Sequence, residues 1–287
     1  MSEFSLRCAW LLAGLAAGSA CADSGSRLLA TGGVTQLEGS AGGGLTPWAL
    51  IAGYGSNEQV HGTAYFTKVT PKDFDLESVG AAVGVYDRLE LSFARQHFGL
   101  GSTVPGQTID QQIFGAKLRL LGDAVFDADT WLPQLAVGLQ YKHNLDFDQV
   151  PQALGAKHAS GSDIYLSASK VYLAGLCGYN ALLNATLRFT KANQFGLLGF
   201  GGDLNDSYQP RFEASAGVFL NRHWLLGGEF RQKPNNLSAF EEQSAKDLFV
   251  AYLPNKSLAF TAAYVDLGRI ADKTAQRGAY LSAQFSY

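Results

Sequence analysis

The last nine residues of the chain decide its class of fold: Ala279-Tyr280-Leu281-Ser282-Ala283-Gln284-Phe285-Ser286-Tyr287. Apolar side chains at the odd positions alternate strictly with polar-tipped side chains at the even positions, and the chain ends on an aromatic ring. A period of two with one apolar face predicts a β-strand. Such a face meets a core in a soluble protein and lipid in an outer-membrane barrel. Features elsewhere in the chain are needed to distinguish a soluble protein from an outer-membrane barrel.

The N-terminus has the ordered zones of a secretory signal peptide. Arg7 precedes an apolar run from Ala9 to Ala20, and the small residues Ala20-Cys21-Ala22 follow. We predict cleavage after residue 22, so that residues 1–22 are a signal peptide and residues 23–287 form a single outer-membrane β-barrel domain. The run is shorter than the roughly 18 to 20 residues of a membrane-anchoring helix, which disfavours that alternative.

Cys21 leaves a second interpretation of the N-terminus open. A lipoprotein signal would make Cys21 the new N-terminus, but Gly18 stands where such signals usually have leucine. Cleavage after residue 22 removes Cys8 and Cys21 and leaves Cys177 alone. A lone thiol forms no intrachain disulfide and no cysteine zinc site, so a small disulfide-stabilised scaffold is excluded.

Composition supports a barrel and excludes other classes. The chain has 33 Gly, 18 Phe and 12 Tyr, only 16% charged residues and a net charge of -3. This charge is too small to indicate a nucleic-acid partner. A moderately apolar chain with no helix-length apolar span after the signal is typical of a transmembrane barrel, because each strand gives only every second residue to lipid. We expect no cofactor.

Alternating segments separated by turns continue along the whole chain. We predict an all-β transmembrane antiparallel β-barrel of about 14 strands, with 12 or 16 also possible. The segments are 28–37, 47–55, 60–69, 77–86, 89–97, 110–120, 133–143, 162–173, 181–190, 210–220, 223–232, 246–253, 257–266 and 279–287. Short turns on one side and longer loops on the other are typical of outer-membrane barrels, and an even count returns the C-terminus to the periplasm. A periplasmic sandwich also alternates, but it usually hides its edge strands.

Several runs resemble a known family. They are Gly32-Gly33-Val34, residues 42–55 (GGGLTPWALIAGYG), residues 192–203 (ANQFGLLGFGGD) and Tyr264-Val265-Asp266-Leu267-Gly268. This pattern is similar to a proteobacterial family of uncharacterised proteins that share a domain of unknown function. The resemblance implies an outer-membrane barrel in a Gram-negative bacterium and supplies no catalytic or binding residue.

Motifs for catalysis are weak. The glycine clusters lack the Gly-Lys-Ser/Thr ending of a phosphate loop, and no Gly-x-Ser-x-Gly elbow supports a lipase or esterase. One loop region gathers the side chains that a metal site or a surface hydrolase would use, namely His143, Asp146, Asp148, His158 and Asp163. A solvated loop without catalytic or metal chemistry is the favoured interpretation, because residue spacing without known geometry is weak evidence for a site. We therefore predict no enzyme, no catalytic residue and no metal site.

The inward face of the predicted strands carries the information on function. Its polar residues are Glu90, Lys117, Arg119, Gln134, Gln140, Lys142, Asn184, Arg188, Glu213, Glu229 and Arg231. A charged interior is costly unless it is wet or paired. These residues therefore either line a narrow porin-like channel for small polar or anionic solutes, or fill a plugged barrel with a structural or adhesive role.

Two further expectations concern the channel. The apolar run from Phe195 to Gly202 should fold into the barrel mouth as a constriction formed by Phe195, Leu197, Leu198 and Phe200. Glu213 should lie nearly opposite Arg231 across a hairpin, which leaves Lys117, Arg119 and Arg188 as unpaired cations and predicts mild anion selectivity. Expected partners are outer-membrane lipids, the barrel-assembly machinery through the C-terminal strand, and small solutes; nothing predicts an oligomeric state.

Overall fold

A closed antiparallel β-barrel encloses a segment of its own chain. The computed structural model describes residues 27–127 and 130–287, so the predicted signal peptide lies outside the described residues. The strands are β1 (Val34–Thr35), β2 (Ala41–Gly42), β3 (Val60–Pro71), β4 (Asp75–Val85), β5 (Leu89–Gly99), β6 (Thr108–Leu121), β7 (Gln134–Asn144), β8 (Ser160–Leu176), β9 (Tyr179–Thr190), β10 (Gln209–Asn221), β11 (Trp224–Arg231), β12 (Ala245–Tyr252), β13 (Leu258–Asp266) and β14 (Arg277–Ser286).

The barrel wall consists of β3 to β14, each paired with its neighbour in sequence. β14 closes the sheet against β3, with Phe285 opposite Ala64 and Ser286 opposite Thr63. The predicted C-terminal strand is therefore confirmed. Closure pairs the backbone of both terminal wall strands and leaves no open sheet edge.

The number of wall strands is twelve, and the prediction of about 14 is wrong in its two N-terminal members. Segments 28–37 and 47–55 do not join the wall. Segment 28–37 contributes only the two-residue strand β1, which pairs inside the barrel with β2 from the predicted loop between the two segments, and segment 47–55 forms no strand. Every residue from 31 to 55 is buried. A wall strand has one face toward lipid and one toward the lumen, whereas this segment, called the inner segment (residues 31–55), contacts protein on all sides.

The outer face of the wall is apolar. Aliphatic and aromatic side chains project outward from the strands, including Leu91, Phe114, Ile164, Leu248 and Leu281. Leu248 is 71% exposed and Leu281 59%. An exposed apolar surface around a whole barrel is unfavourable in water and favourable in lipid.

The connections differ at the two ends of the barrel. The end that holds Tyr287, called the terminal end, has the short turns 86–88, 177–178, 222–223 and 253–257, and one longer connection, 122–133. The opposite end, called the loop end, has the connections 72–74, 100–107, 145–159, 191–208, 232–244 and 267–276. Apart from 72–74, the loop end carries long loops, as predicted for the cell-surface side.

Within residues 27–127 and 130–287, the helical structure consists of two short elements at the loop end. α1 spans Val150–Ala153, and a 3-10 helix spans Asn193–Gly196. Among the described residues, no helix is long and apolar enough to cross a membrane.

Two apolar clusters enclose a polar middle. At the loop end, Leu37 and Leu45 of the inner segment pack in one cluster with Phe195, Leu198 and Leu237. At the terminal end, the second cluster contains the inner-segment residues Trp48 and Leu50 together with the wall residues Val171, Leu182 and Phe249. The charged wall residues described next lie between them.

Candidate functional site

The carboxylate of Glu38, the only charged side chain between Leu28 and Gly55, is bound by cations from three strands. Lys142 Nζ lies 2.5 Å from Oε1, and Arg231 places Nη1 2.9 Å from Oε2 and Nη2 3.1 Å from Oε1. Arg188 Nη2 lies 3.9 Å from Oε2. Glu38 is completely buried. A buried carboxylate with several paired cations is held in a fixed position.

Two wall carboxylates complete the charge network. Asp163 Oδ2 lies 2.7 Å from Lys142 Nζ and 3.2 Å from Arg188 Nη1. Glu213 Oε1 lies 2.5 Å from Arg188 Nε and 3.3 Å from Arg231 Nε. The three cations therefore meet three carboxylates, of which the inner segment supplies one. The register also pairs Glu213 with Arg231, which confirms that prediction.

A second wall pair binds the backbone of the inner segment. Glu90 accepts hydrogen bonds from the amides of Ala41 (3.1 Å) and Ala52 (2.9 Å). Lys117 Nζ lies 3.1 Å from Glu90 Oε2 and donates to the carbonyls of Ala41 (2.9 Å) and Leu50 (2.7 Å). One ion pair thus fixes three separate points of the inner segment.

A third wall carboxylate, Glu229, binds the loop that follows β2. The Glu229 carboxylate accepts a hydrogen bond from the Leu45 amide at 2.7 Å and another from the Thr46 hydroxyl at 2.6 Å. Ser215, beside it, accepts a hydrogen bond from the indole of Trp48 at 2.9 Å. Gly43 lies against this carboxylate, and a Cβ there would be 2.1 Å from Glu229 Oε1. Glycine is needed here because the backbone approaches a wall side chain closely.

Backbone carbonyl groups of the inner segment accept many of its other hydrogen bonds from the wall. The Leu37 carbonyl accepts from Ser78 (2.7 Å) and Gln96 (2.8 Å). The Pro47 carbonyl accepts from Thr186 at 3.0 Å and from Ser167 at 3.3 Å. The inner segment is therefore recognised largely through its backbone, which explains how a glycine-rich, weakly polar sequence satisfies a polar wall.

Residues 195–200 fold over the inner segment at the loop end. Phe195, Leu197, Leu198 and Phe200 are all buried, and the guanidinium of Arg231 lies 4.2 Å from the centroid of the Phe195 ring. This segment lies inside the barrel mouth, where the sequence places it. Phe195, Leu197 and Leu198 join the loop-end cluster.

An ion pair from the loop end adjoins this segment. Lys233 Nζ lies 3.2 Å from Glu242 Oε2, and both side chains are buried. Burial lowers the pKa of Lys233 and raises the pKa of Glu242, while their mutual attraction opposes both shifts. Glu242 also accepts a hydrogen bond from Gln194 at 2.8 Å, which ties connection 232–244 to the segment over the mouth.

The structure places the predicted pore-lining residues as follows. Inside the barrel and buried are Glu90, Lys117, Gln134, Gln140, Lys142, Asn184, Arg188, Glu213, Glu229 and Arg231. Arg119 lies at the terminal end, ion-paired with Asp87 and with Asp123. The prediction that Lys117, Arg119 and Arg188 are unpaired is wrong, because each forms a salt bridge. Their partners are local in the sheet: Glu90 lies opposite Lys117 on the neighbouring strand, Glu213 lies on the strand next to Arg188, and Asp123 is four residues from Arg119.

Three interior carboxylates were absent from the predicted lumen. Asp163 falls at the start of the predicted segment 162–173 but is grouped with the loop residues, and Glu38 falls just beyond the predicted segment 28–37. Asp247 lies on the inward face of β12, where Asp247, Phe249 and Ala251 alternate. Adding Asp163 and Asp247 to the predicted pore-lining set gives that set five carboxylates (Glu90, Asp163, Glu213, Glu229, Asp247) against five cations (Lys117, Arg119, Lys142, Arg188, Arg231). The excess of positive charge on which anion selectivity was predicted therefore does not exist.

The loop residues considered for a metal or hydrolase site are separated. Asp163 faces the lumen, and His158 lies outside it, 2.9 Å from Asp206. Asp146 accepts a hydrogen bond from the Asp110 amide at 2.7 Å. Within residues 27–127 and 130–287, no group of three or more His, Cys, Asp or Glu side chains is placed to hold a metal ion.

Comparisons with solved structures find similar barrels. The "KdgM porin" has a TM-score of 0.49 at 7% identity, covering 78% of this chain and 99% of that chain. The NanC porin has a TM-score of 0.49 at 9% identity, covering 78% and 98%. The outer membrane protein Omp33 of Acinetobacter baumannii has a TM-score of 0.47 at 8% identity, covering 81% and 100%.

Sequence comparison gives one assignment. No protein with a curated description matches the chain. A family model described as "Protein of unknown function (DUF3034)" matches residues 31–284, which include the inner segment and nearly the whole wall. This agrees with the resemblance to an uncharacterised outer-membrane barrel family, and the chain belongs to the DUF3034 family.

Proposed function

We propose that this protein is a porin-like channel for small polar solutes in the outer membrane of a Gram-negative bacterium, and that the inner segment is its gate. In the described conformation the gate is closed, since the inner segment and residues 195–200 fill the lumen. The proposal includes outer-membrane lipids around the apolar belt and recognition of β14 by the barrel-assembly machinery.

The observation that carries this proposal is the polarity of the wall around the inner segment. Lys142, Arg188 and Arg231 surround a single carboxylate of that segment. A permanently filled interior is more easily stabilised by apolar packing, because buried ion pairs lose much of their attraction to desolvation. Charged and amide side chains on the wall are instead favourable in a lumen that fills with water when the inner segment moves out.

A sealed structural barrel is the second candidate. The two apolar clusters at the loop end and the terminal end favour it, because apolar seals at both ends exclude water from the polar middle. Displacing the inner segment would expose parts of both clusters. The two candidates differ in whether the wall conducts once that segment is gone.

Replacing residues 33–50 by a short Gly/Ser linker separates the candidates. In planar bilayers the unmodified protein should be closed, and the variant should show stable single-channel conductance. A matched control replaces the exposed residues 101, 102, 105 and 106, keeps Val104 packed against the loop-end cluster, and should remain closed. A replacement variant that inserts with heat-modifiable mobility yet does not conduct would reject the channel and support the sealed barrel. Glu38→Gln is a milder variant and should produce brief openings.

A further inference from the structure

An apolar cavity opens at the terminal end, between the inner part of the chain and the wall. Its volume is about 1030 Å³. The floor is formed by Trp48 and Leu50, and the sides by Val171, Leu182 and Phe219. Leu28 lines it too and is 56% exposed. A concave, mostly apolar cavity of this size matches the volume of small-molecule sites.

The rim of this cavity is cationic. Arg222 and His223 from the turn between β10 and β11, and Lys256 from the turn between β12 and β13, line its edge. No Asp or Glu of the described chain lines it. His223 Nδ1 lies 2.7 Å from the Leu253 carbonyl, and Arg222 donates Nε to His223 Nε2 at 2.9 Å. The imidazole therefore links the Arg222 side chain to the next turn and keeps it at the rim.

We propose that this cavity binds a fatty acid, with the acyl chain against the apolar floor and the carboxylate at the cationic rim. Apolar depth selects a hydrocarbon chain, and a rim whose described residues include cations and no carboxylates selects an anionic head group over a cationic one. The site is separate from the charge network around Glu38. Its floor belongs to the inner segment, so the site is formed in the closed conformation, whether or not the lumen conducts in another one.

The test uses the mature chain in amphipol with dansyl-labelled undecanoic acid as the probe. Binding should saturate at one probe per chain. Unlabelled octanoic, decanoic and dodecanoic acids should displace the probe with an affinity that rises about fourfold for each added methylene. Dodecylamine, which has a cationic head group, should displace it poorly. Equal displacement by the amine and the acid would overturn the proposal.

Variants test the two parts of the site separately. Arg222→Gln with Lys256→Gln should weaken binding about tenfold or more, because the carboxylate loses charge-assisted hydrogen bonds. Arg88→Gln removes a cation from the same end of the barrel outside the cavity and should leave binding unchanged. Val125→Trp fills the cavity from its partly exposed edge and should block binding, whereas Val60→Trp, outside it, should not.

Three outcomes would contradict the proposal. If none of the cavity variants changes probe binding, the probe is bound elsewhere on the protein. A probe that fails to saturate would indicate partitioning into amphipol. Binding that appears only after residues 23–26 are deleted would assign the cavity to the chain's own N-terminal residues.

Discussion

Glu38 and Arg231 form a two-point ion pair inside the barrel although 193 residues separate them in sequence. Nη1 of Arg231 lies 2.9 Å from Oε2 and Nη2 lies 3.1 Å from Oε1 of Glu38. Arg231 also donates to the Leu45 carbonyl at 2.9 Å. One guanidinium therefore binds both the side chain and the backbone of the inner segment, and planar two-point contacts of this kind fix orientation as well as charge.

Removing the Glu38 charge should destabilise the closed state. Glu38→Gln leaves three buried cations with two carboxylates, and breaking a buried ion pair costs about 3–5 kcal/mol. Urea unfolding followed by the fluorescence of buried Trp48 measures the loss. Glu58→Gln, in an exposed turn, is the control and should change stability by less than about 0.5 kcal/mol. Equal stability of both variants would show that the network does not hold the inner segment.

Adding Arg231→Met to Glu38→Gln should recover part of that loss. The double variant restores two cations against two carboxylates, and Met retains an apolar side chain near the Phe195 ring. Residues in one ion-pair network couple by about 0.5–3 kcal/mol. The four proteins of this double-mutant cycle, compared in the same urea titration, give the coupling free energy. Strictly additive losses would contradict a direct interaction.

Gly43→Ala should loosen the inner segment without changing any charge. The new Cβ would lie 2.1 Å from Glu229 Oε1, and that oxygen cannot move freely because it accepts from Thr46 and Ser215. Overpacking of this kind costs about 1–3 kcal/mol. The reactivity of a cysteine introduced at Ser40 would report the release. Glu229→Ala removes the clashing atom, so Gly43→Ala should cost little in that background.

Acid should open a contact between two loops. Hydrogen bonds from His158 and Lys191, at 2.9 and 3.0 Å, lower the pKa of Asp206. The resulting stabilisation is present above the ordinary carboxyl pKa of about 3.9 and is lost as the pH falls through the lowered value. Hydrogen exchange in residues 201–208, corrected for intrinsic pH dependence, should increase over that window. Asp206→Asn should show the faster exchange already at neutral pH, and an unchanged rate would contradict the assignment.

Deleting Phe285 to Tyr287 should prevent outer-membrane insertion. Residues 285 and 286 pair with β3, and Tyr287 exchanges two backbone hydrogen bonds of 3.1 Å with Gly62. Losing them leaves unpaired backbone at the closure of the sheet, which lipid does not tolerate. Tyr287→Phe keeps the backbone and should insert normally. Membrane fractionation and heat-modifiable mobility measure insertion, and normal levels of the truncated protein would contradict this view of closure.

The sequence by itself determined the wall of the barrel. Segments such as 181–190 and 279–287 alternate because each wall strand separates two different surroundings, and alternation is a local property that neighbouring residues express. For the same reason the inward orientation of Lys142, Arg188 and Glu213 followed from their phase along the strand. The turn between β10 and β11 also fixed the pairing of Glu213 with Arg231.

Only the tertiary structure decided what fills the lumen and how its charges pair. Segments 28–37 and 47–55 have the composition of strands, but once β14 pairs with β3 they lie inside the closed wall, where no face meets lipid. Glu38 then meets Lys142, Arg188 and Arg231, which come from three separate strands. No local pattern encodes such contacts, because they depend on barrel diameter and closure. The balance of interior charge follows from the assembled lumen.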